Sequence, residues 1–542
     1  MASTAPIHRY AERFAASLAR GRAPALTDEI AAYLEGEPQG VFESLEGLTE
    51  RLADEGGDEQ MVVAYMTLLT MQLEFLRYQV DRGYQKAIDL CAAFEARVAE
   101  LVKGGELPEL ALGAIGMAMH QAKLDPGPTL RALQEQALDA GQAEQNADLD
   151  VGAALSEVAE RCGGDVFELL ESMAKAMHVM PPAARPLIAE QMLKSPLPLL
   201  REGAALVTLD PDKGVRHAAM ATLLGSAGAL TPTALRRLIA IRSWLPTDEH
   251  PLLDQVVRAA RAVGVECAPW KPGAVTSLRI SSIDGSGAQG ALMVSPAAGK
   301  FRCSSLLFRF GIGIIDAWVT EPMAKGRLRQ MLRDGEEGAA LRQVTRSLLN
   351  QMVSHHLATG LERGAPPPVA LLQVAETIAA TEWRPACLDW RASLDALLSE
   401  VPPALRTQAR LGELANTSAD WAAADGLADS WFEDDQEVAD LLAKVPRRRT
   451  EKDLEYVLAT IIERRKLKWA ERFVWTALWL KENTPAPGRL WSHFALIAHE
   501  IVRGRSLDSI AVMRLIARNT LMTHEITDGS GLDLSSTVLL CE

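Results

Sequence analysis

The stretch DPDKGVRHAAMATLLG, residues 210–225, combines the start of a helix with a face suited to close packing. Asp210 follows an apolar run that ends near Thr208, and an aspartate in this place can cap the next helix. Pro211 is tolerated in a first helical turn. We therefore predict a helix whose buried stripe has small residues in its middle, so that neighbouring helices approach closely. This stripe consists of Val215, Ala218, Ala219 and Leu223.

The same stretch resembles the second helix of a HEAT repeat, through an Asp, a Val-Arg pair five and six residues later, and the Ala-Ala and Leu that follow. In that family the Asp and the Arg form a ladder between neighbouring repeats, which the resemblance assigns to Asp210 and Arg216. The segment VVRAARAVG places Arg258 one repeat period, about 40–47 residues, after Arg216. The resemblance covers residues 165–264 and implies stacked antiparallel helix pairs, with Asp210 and Arg216 buried or half-buried at a repeat junction.

Apolar residues at three- and four-residue spacing predict helices through most of the chain, and 542 residues exceed what one hydrophobic core holds. We predict a mainly α fold, an α-solenoid of HEAT-like helical repeats with a small antiparallel β-meander insert in the middle. The predicted domains are an acidic helical region (1–164), the HEAT-like repeats (165–264), the β element (270–322), a C-terminal helical domain (323–525) and a tail (526–542).

The helical pattern stops after residue 264 and gives way to short β-rich runs separated by glycine-rich turns. Apolar and polar residues alternate around Leu278 and Ile280, and the turn sequences DGSG (284–287), PAAGK and GIG follow at hairpin spacing. We therefore predict an antiparallel sheet of about four strands over residues 275–320. Since so small a sheet is not stable by itself, one face should pack on the flanking helices.

Charge and cysteine content limit where the protein works and what it binds. Residues 1–164 carry 27 acidic and 13 basic side chains, and therefore nearly all of the net charge of −15, which disfavours nucleic acid as a partner. The six cysteines are far apart, as is typical of a reducing compartment. The sequence has neither a signal-peptide pattern nor an apolar run of about 18 residues. We expect a cytoplasmic protein with no membrane partner.

Motifs for catalysis and metal binding are missing from the sequence. The neighbours His355 and His356 point about 100° apart on a helix, and His493 and His499 are six residues apart, so neither pair has chelating geometry. No phosphate-binding loop, dinucleotide fingerprint or nucleophile elbow is found. We therefore predict no catalytic residues, no metal and no cofactor.

The most distinctive charged stretch is the basic region 444–472, in which ten basic residues oppose five acidic ones and several aromatic residues follow. One interpretation is a binding site for an acidic partner. The other is a role within the protein, in which these residues contact its acidic parts or the segment WFEDDQEV (431–438). Trp475 and Trp479, four residues apart, should belong to the core. The candidate partner-binding residues are Arg447, Arg448, Arg449, Arg464, Arg465, Lys466 and Lys468.

Three residues of the β element could line a pocket. Asp284 opens the DGSG turn, although turn formation alone explains an aspartate there. Asp316 and Trp318 lie near the end of the last predicted strand, where a carboxylate and an indole could face a ligand. Alternatively, Trp318 anchors the sheet to the helices and Asp316 faces water.

These observations support three functional hypotheses. The first is a non-catalytic helical scaffold or adaptor that mediates protein–protein interaction with partners of unknown identity. The alternative is an enzyme or small-ligand receptor with its pocket between the β element and the helices. The missing motifs do not exclude it, because catalytic residues can be dispersed along a sequence. A third is nucleic-acid binding through the basic region 444–472.

Overall fold

The computed structural model describes a mainly α protein with one small antiparallel sheet in the middle of the chain, which confirms the predicted fold class. Solenoid stacking of HEAT-like repeats stays a prediction. The structure describes residues 6–22, 24–53, 58–124, 126–134, 136, 151–180, 184–336, 340–423, 426–444, 451–482, 486 and 489–529.

The chain forms two compact units. One division lies within a helix, between Gly203 and Ala204, inside the segment of the repeat resemblance, and the end of the last helix, from Ile526, also belongs to the first unit. In the first unit, α1 and α4 enclose one apolar core with Ile7, Phe14 and Leu68, and α3 to α6 enclose a second. The helices up to this division are α1 (Pro6–Leu18), α2 (Asp28–Gly36), α3 (Gly40–Ala53), α4 (Glu59–Asp81), α5 (Gln85–Lys103), α6 (Glu109–Gln121), α7 (Val151–Arg161), α8 (Val166–Val179), α9 (Arg185–Lys194) and α10 (Pro198–Leu206).

The second unit continues with more helices, which surround the sheet. They are α11 (Lys213–Gly225), α12 (Pro232–Ile241), α13 (His250–Ala262), α14 (Lys325–Glu336), α15 (Arg346–Glu362), α16 (Ala370–Ile378), α17 (Trp390–Glu400), α18 (Gln408–Asn416), α19 (Ser418–Ala423), α20 (Gln436–Leu442), α21 (Glu451–Val457), α22 (Glu463–Lys481), α23 (Leu490–Val502) and α24 (Ala511–Gly529). A π-helical turn, Leu458–Ile462, joins α21 to α22.

The start of α11 differs from the prediction in its capping residue. Asp212, not Asp210, is the N-cap, and its carboxylate accepts a hydrogen bond from the Val215 amide at 3.0 Å. Asp210 instead accepts from the Asp212 amide at 2.8 Å, so its side chain forms the turn that precedes the helix. Pro211 therefore lies before the first helical turn.

Arg216 is buried, as the sequence predicted, and Asp210 is half-buried. The Arg216 guanidinium donates to both carboxylate oxygens of Glu249, at 2.9 and 2.6 Å, and to the backbone carbonyls of Asp210 and Pro211. The ionic partner is thus Glu249, next to the first residue of α13, rather than the Asp210 side chain. This pair joins α11 to α13, two helices that also pack on each other.

The sheet has the order β4-β3-β2-β1-β5, and all its pairings are antiparallel. DGSG and GIG lie at the turns before β2 and β4, as predicted, and Ala298 and Gly299 form the hairpin between β2 and β3 with positive φ. The prediction covered four of the five strands; the fifth is a two-residue strand beyond residue 320. The strands are β1 (Ser277–Ile280), β2 (Ala288–Ala297), β3 (Lys300–Arg309), β4 (Gly313–Val319) and β5 (Arg342–Gln343).

The two faces of the sheet differ in burial because side chains alternate along each strand. The inner face, with Leu278, Met293 and Phe308, is buried, and α15, α16 and α22 supply part of its cover. On the outer face α14 covers Val294 and Cys303 and leaves the next rows half-buried. The half-buried outer residues are Leu292, Ser305, Leu307, Asp316 and Trp318.

No helix within the described ranges is both long and apolar enough to cross a membrane.

Candidate functional site

The basic residues at the start of α22 meet the acidic segment 433–437 of the same chain. The Arg465 guanidinium contacts the carboxylates of Glu433, Asp435 and Glu437 at 2.6–3.0 Å. Arg464 also pairs with Glu437, at 3.2 Å, but both side chains are largely exposed. These contacts correspond to the intramolecular interpretation of the basic region for the part that the structure describes.

Glu433 is the centre of this charged cluster. Its side chain is 3% exposed, and its Oε2 accepts from Arg465 at 2.6 Å and from Lys468 at 3.3 Å. Its backbone amide donates to the Thr520 hydroxyl at 2.9 Å, which ties the segment to α24. Its Oε1 is buried and has no hydrogen-bond partner among the described residues. One buried carboxylate thus compensates two cations at once.

The acid–base pairing within the cluster stabilises its charged forms. Burial is the largest single influence on Asp435 and opposes its ionised form, but hydrogen bonds from Arg465 and the Val438 amide and the nearby positive charges together outweigh it and lower the pKa of Asp435. Burial likewise opposes the charge on Arg465, whereas hydrogen bonds and attraction from Asp435 and Glu433 raise the pKa of Arg465 above its ordinary value. Since both groups stay charged near neutral pH, Arg465 and Asp435 form an ion pair there, whereas burial lowers the pKa of the neighbouring Lys468.

The π-helical turn Leu458–Ile462 immediately precedes these cations. A π turn inserts an extra residue and rotates the side chains that follow it relative to a continuous α-helix, and such turns are frequent at functional sites. Here it helps to set which face of α22 presents Arg465 and Lys468 to the acidic segment.

Arg472, one turn further along α22, extends the cluster to the sheet. Its guanidinium is fully buried, donates to the Gly285 carbonyl at 3.1 Å and lies 4.7 Å from the centre of the Trp469 ring. Burial lowers the pKa of Arg472, while the carboxylates of Glu433 and Asp284 favour its charged form. The DGSG turn is therefore fixed directly above a buried cation.

The turn also touches the segment that carries Glu433. A Cβ on Gly285 would lie 1.8 Å from the Ser430 carbonyl oxygen, so glycine is required for this approach. The Trp431 indole donates to the Ile283 carbonyl at 2.9 Å. Asp284 accepts from the Ser286 hydroxyl and from the Ala288 amide, both at 2.8 Å. Those contacts match the turn-forming explanation of this aspartate.

A second group of buried rings lies beside Arg472, where α15 meets the inner face. His356 stacks on Phe308 with 4.9 Å between ring centres, and Phe310 contacts His356, His355 and Trp475. His355 accepts from the Leu388 amide at 3.2 Å, whereas both ring nitrogens of His356 are buried without a partner among the described residues. Burial, and then the neighbouring His355, lower the pKa of His356 to about 3.

This histidine makes stability depend on pH in the acidic range. His356 stays neutral in the folded protein down to about pH 3, whereas an unfolded histidine binds a proton below about 6.5. The unfolded state therefore holds more protons, and the free energy of unfolding should fall by about 1 kcal/mol for each pH unit below 6.

We expect a shallower fall in His356→Leu and in His356→Gln, measured by urea unfolding from pH 7 to 4. All tryptophans lie within residues 244–491, so their fluorescence reports on the second unit alone. An unchanged pH dependence in both variants would contradict this assignment.

The other two pocket candidates lie on the opposite, outer face of the sheet. Trp318 is half-buried and packs against the apolar cluster under α14 that includes Cys303 and Leu328. Asp316 accepts a hydrogen bond from the adjacent Ala317 amide at 2.9 Å. In the register of the sheet, Trp318 lies opposite Ser305 and Asp316 opposite Leu307. The structure thus places Asp284 and the pair Asp316 and Trp318 in two separate surroundings.

Above this outer face lies a basic surface that sequence reasoning missed. Residues 325–333 of α14 contain four basic side chains and no acidic one. Lys325, Arg327 and Arg329 are exposed and make no ion pair with any described residue, and Arg333 contacts Gln330 at 2.6 Å. On the side facing the sheet, Leu328, Met331 and Leu332 pack on it. We call these four cations and the half-buried outer residues the α14 face.

Other sequence candidates have different outcomes. Lys466 pairs with Glu463 on its own helix, and Trp475 and Trp479 are buried in the core, as predicted. Arg447, Arg448 and Arg449 lie outside the described residues. Within the described ranges, no three or more His, Cys, Asp and Glu side chains are arranged to hold a metal ion.

Glu433 and Arg472 were not among the predicted site residues, because neither lies in a sequence pattern that distinguishes it from its neighbours. Glu433 is one of several acids in a loop, and Arg472 lies in the basic region as a single helical residue. The opposite charges of 433–437 and 464–468 predicted contact between the two segments, but not which acid is buried. The signal for Arg472 is its place on the same helical face as Trp469 and Trp475.

Two segments of this chain match models of known protein families. Residues 391–525 match the Y4lR C-terminal helical domain, and residues 181–264 match the Y4lR second domain. The first includes the charged cluster on α22, whereas the sheet and α14 lie between the two. No solved structure matches the chain. Over 400 residues, 70% of this chain and 74% of the relative, the protein is 27% identical to the uncharacterized protein y4lR of Sinorhizobium fredii (strain NBRC 101917 / NGR234).

Proposed function

We propose that this protein is a non-catalytic helical adaptor that binds an acidic protein segment on its α14 face. The observation that carries the proposal is the contrast between two sets of basic residues. The cations at the start of α22 are compensated by carboxylates of the chain itself, whereas Lys325, Arg327 and Arg329 project from α14 without an ionic partner among the described residues.

The composition around these cations supports a protein partner. Protein interfaces combine aromatic and aliphatic groups at the centre with arginine and a polar rim. The α14 face has this mixture, with half-buried Trp318, Leu292 and Leu307 beside exposed basic side chains. Exposed charges contribute mainly to the association rate and to specificity, and the apolar rows contribute contact area.

Contacts within the chain weigh against the two alternatives. Nucleic-acid binding through the basic region would need free cations, but Arg465 already contacts three carboxylates. A receptor pocket next to Asp284 would have to form where that carboxylate already accepts two hydrogen bonds within its own turn. In the adaptor, the α11–α13 helices continue as a HEAT-like stack, which ion pairs of Arg236 and Arg237 with Glu376 join to α16, a helix that packs on the sheet. The separate free cysteines fit a cytoplasmic location.

Removal of two charges should weaken binding of an acidic probe. The probe is a fluorescein-labelled peptide of about 16 residues that alternates glutamate with leucine, and it is titrated in about 50 mM and about 500 mM salt. We expect Lys325→Ser with Arg329→Ser to weaken binding about tenfold at low salt, since each lost ion pair contributes up to about 1 kcal/mol. Both side chains lie on one side of α14, four residues apart.

A matched double variant tests whether any exposed pair of arginines has this effect. Arg258→Ser with Arg261→Ser removes two exposed arginines from α13 of the same unit and should leave peptide binding unchanged. An oligonucleotide of equal charge is the second probe. Equal peptide binding by the α14 variant and wild type would refute the adaptor proposal. Stronger α14-dependent binding of the oligonucleotide than of the peptide would refute it as well, in favour of nucleic acid.

A further inference from the structure

The first unit carries an acidic surface on its second and third helices. Residues 28–50, from the start of α2 nearly to the end of α3, contain seven acidic residues and no basic one. Asp28, Glu37, Glu46 and Glu50 are exposed and make no ion pair with any described residue. Glu29 is the exception, because it pairs with Arg13 at 3.1 Å. We call the four unpaired carboxylates the acidic face.

Two tyrosines on and beside these helices have raised pKa values, with burial as the largest cause and nearby carboxylates adding to it. Burial raises the pKa of Tyr33, and the hydrogen bond that its hydroxyl donates to Glu43 at 2.9 Å raises it further, with Glu37 adding to the effect. Burial and Glu29 likewise raise the pKa of Tyr10. Of the acidic face, Glu37 acts on Tyr33; the other contributing carboxylates, Glu43 and Glu29, are the hydrogen-bond partners of the two phenols.

The α14 face and the acidic face match in charge and in length. α14 has 12 residues and α3 has 14, so the two helices are about 18 and 21 Å long. Glu46 and Glu50 are four residues apart on α3, as Lys325 and Arg329 are on α14. Opposite charges at the same spacing can form parallel rows of contacts between two helices.

We propose that the α14 face binds a second copy of this chain, through the acidic face of that copy. This inference rests on the proposed function, because it uses the same basic surface and names its partner. Two identical α14 faces repel each other, as do two identical acidic faces, so a two-fold contact between like surfaces is disfavoured. The contact is therefore head to tail, and an open oligomer of any length leaves one α14 face and one acidic face free for further copies.

Sedimentation velocity of the full chain, over a concentration series in about 50 mM and about 500 mM salt, tests the proposal. We expect wild type to form a series of oligomers at low salt and a monomer at high salt. Two charge-reversal variants, Lys325→Glu with Arg329→Glu and Glu46→Lys with Glu50→Lys, should each be monomeric at low salt. Their circular dichroism spectra and melting temperatures should match wild type, because all four side chains are exposed.

An equimolar mixture of the two variants gives the sharpest result. The acidic-face variant keeps the native α14 face, and the α14 variant keeps the native acidic face. A contact through these native surfaces can therefore form only between the two variants, and the mixture should form oligomers at low salt that neither variant forms alone. The two reversed surfaces also have opposite charges, so oligomers of the mixture can grow beyond a dimer.

The outcomes separate this inference from the function on which it rests. A wild type that stays monomeric at low salt overturns self-association, while α14-dependent peptide binding would leave the adaptor function standing. Oligomers that persist in either variant alone also overturn it, because the contact then uses another surface. A mixture that stays monomeric at low salt overturns it as well, because the two native surfaces then do not bind each other. Loss of peptide binding in the α14 variant, but not in the acidic-face variant, is the result expected if both proposals hold.

Discussion

Glu433→Gln should destabilise the second unit by about 3–5 kcal/mol, because the substitution removes the buried carboxylate shared by two cations. Glutamine keeps the size of the side chain and can still accept a hydrogen bond, so the change isolates the charge. Arg465 would retain Asp435 and Glu437, but Lys468 would lose its carboxylate, and the fully buried Arg472 would lose the largest favourable influence on its charge.

The matched control is Glu437→Gln. Glu437 contacts the same Arg465 at 3.0 Å, but its side chain is 56% exposed, and exposed ion pairs contribute about 0–1 kcal/mol. The measurement is urea unfolding followed by tryptophan fluorescence, which reports on the second unit. Equal losses in the two variants would mean that burial does not determine the strength of this cluster, and our account of Glu433 would then be wrong.

Glu249→Gln should cost about 3–5 kcal/mol as well, because it leaves the buried Arg216 guanidinium without its carboxylate. The Glu249 side chain is fully buried, and both of its oxygens accept from Arg216. The two backbone carbonyls that Arg216 also contacts satisfy hydrogen bonds but do not neutralise its charge. In the same fluorescence experiment, the midpoint of unfolding should move to a lower urea concentration.

The adjacent residue offers a control at nearly the same place. Asp248 pairs with Lys213 at 2.6 Å, and both side chains are 59% exposed. Asp248→Asn removes a charge one residue away from Glu249 and between the same two helices, and should lower the free energy of unfolding far less than Glu249→Gln does, because exposed ion pairs contribute little. If Asp248→Asn were the more harmful of the two variants, the junction between α11 and α13 would not depend on the buried pair.

The parts of the fold that the sequence predicted are those with a local physical signal. Alternating residues and glycine turns identified four strands, and the spacing of Trp475 and Trp479 identified a buried helix face. The Val-Arg pair of the opening stretch indicated a buried Arg216. Each of these signals lies within a few residues of the feature that it predicts, where backbone geometry fixes which side chains share a face.

The rest depends on contacts between distant segments. Arg216 could be predicted as buried, but its partner Glu249 is 33 residues away in a loop with no motif. The same applies to Glu433 and Arg465. The sequence shows that their two segments have opposite charges, but it does not show which residues pair. The basic surface on α14 was overlooked for a different reason: four cations in 12 residues are ordinary for a helix, and only the sheet beneath shows which side remains exposed.

The position of the DGSG turn has a consequence for how the chain folds. Gly285 contacts Ser430 and the side chain of Arg472, and Trp479 donates to the Ile280 carbonyl from 199 residues away. Such pairings have a high contact order, and folding rates fall as contact order rises. During synthesis the hairpins emerge long before α22. Their inner apolar face therefore stays exposed until α22 has been synthesised, and such an exposed face can aggregate. Chaperone dependence should therefore be greatest for nascent chains that have passed residue 320 but not yet reached residue 480.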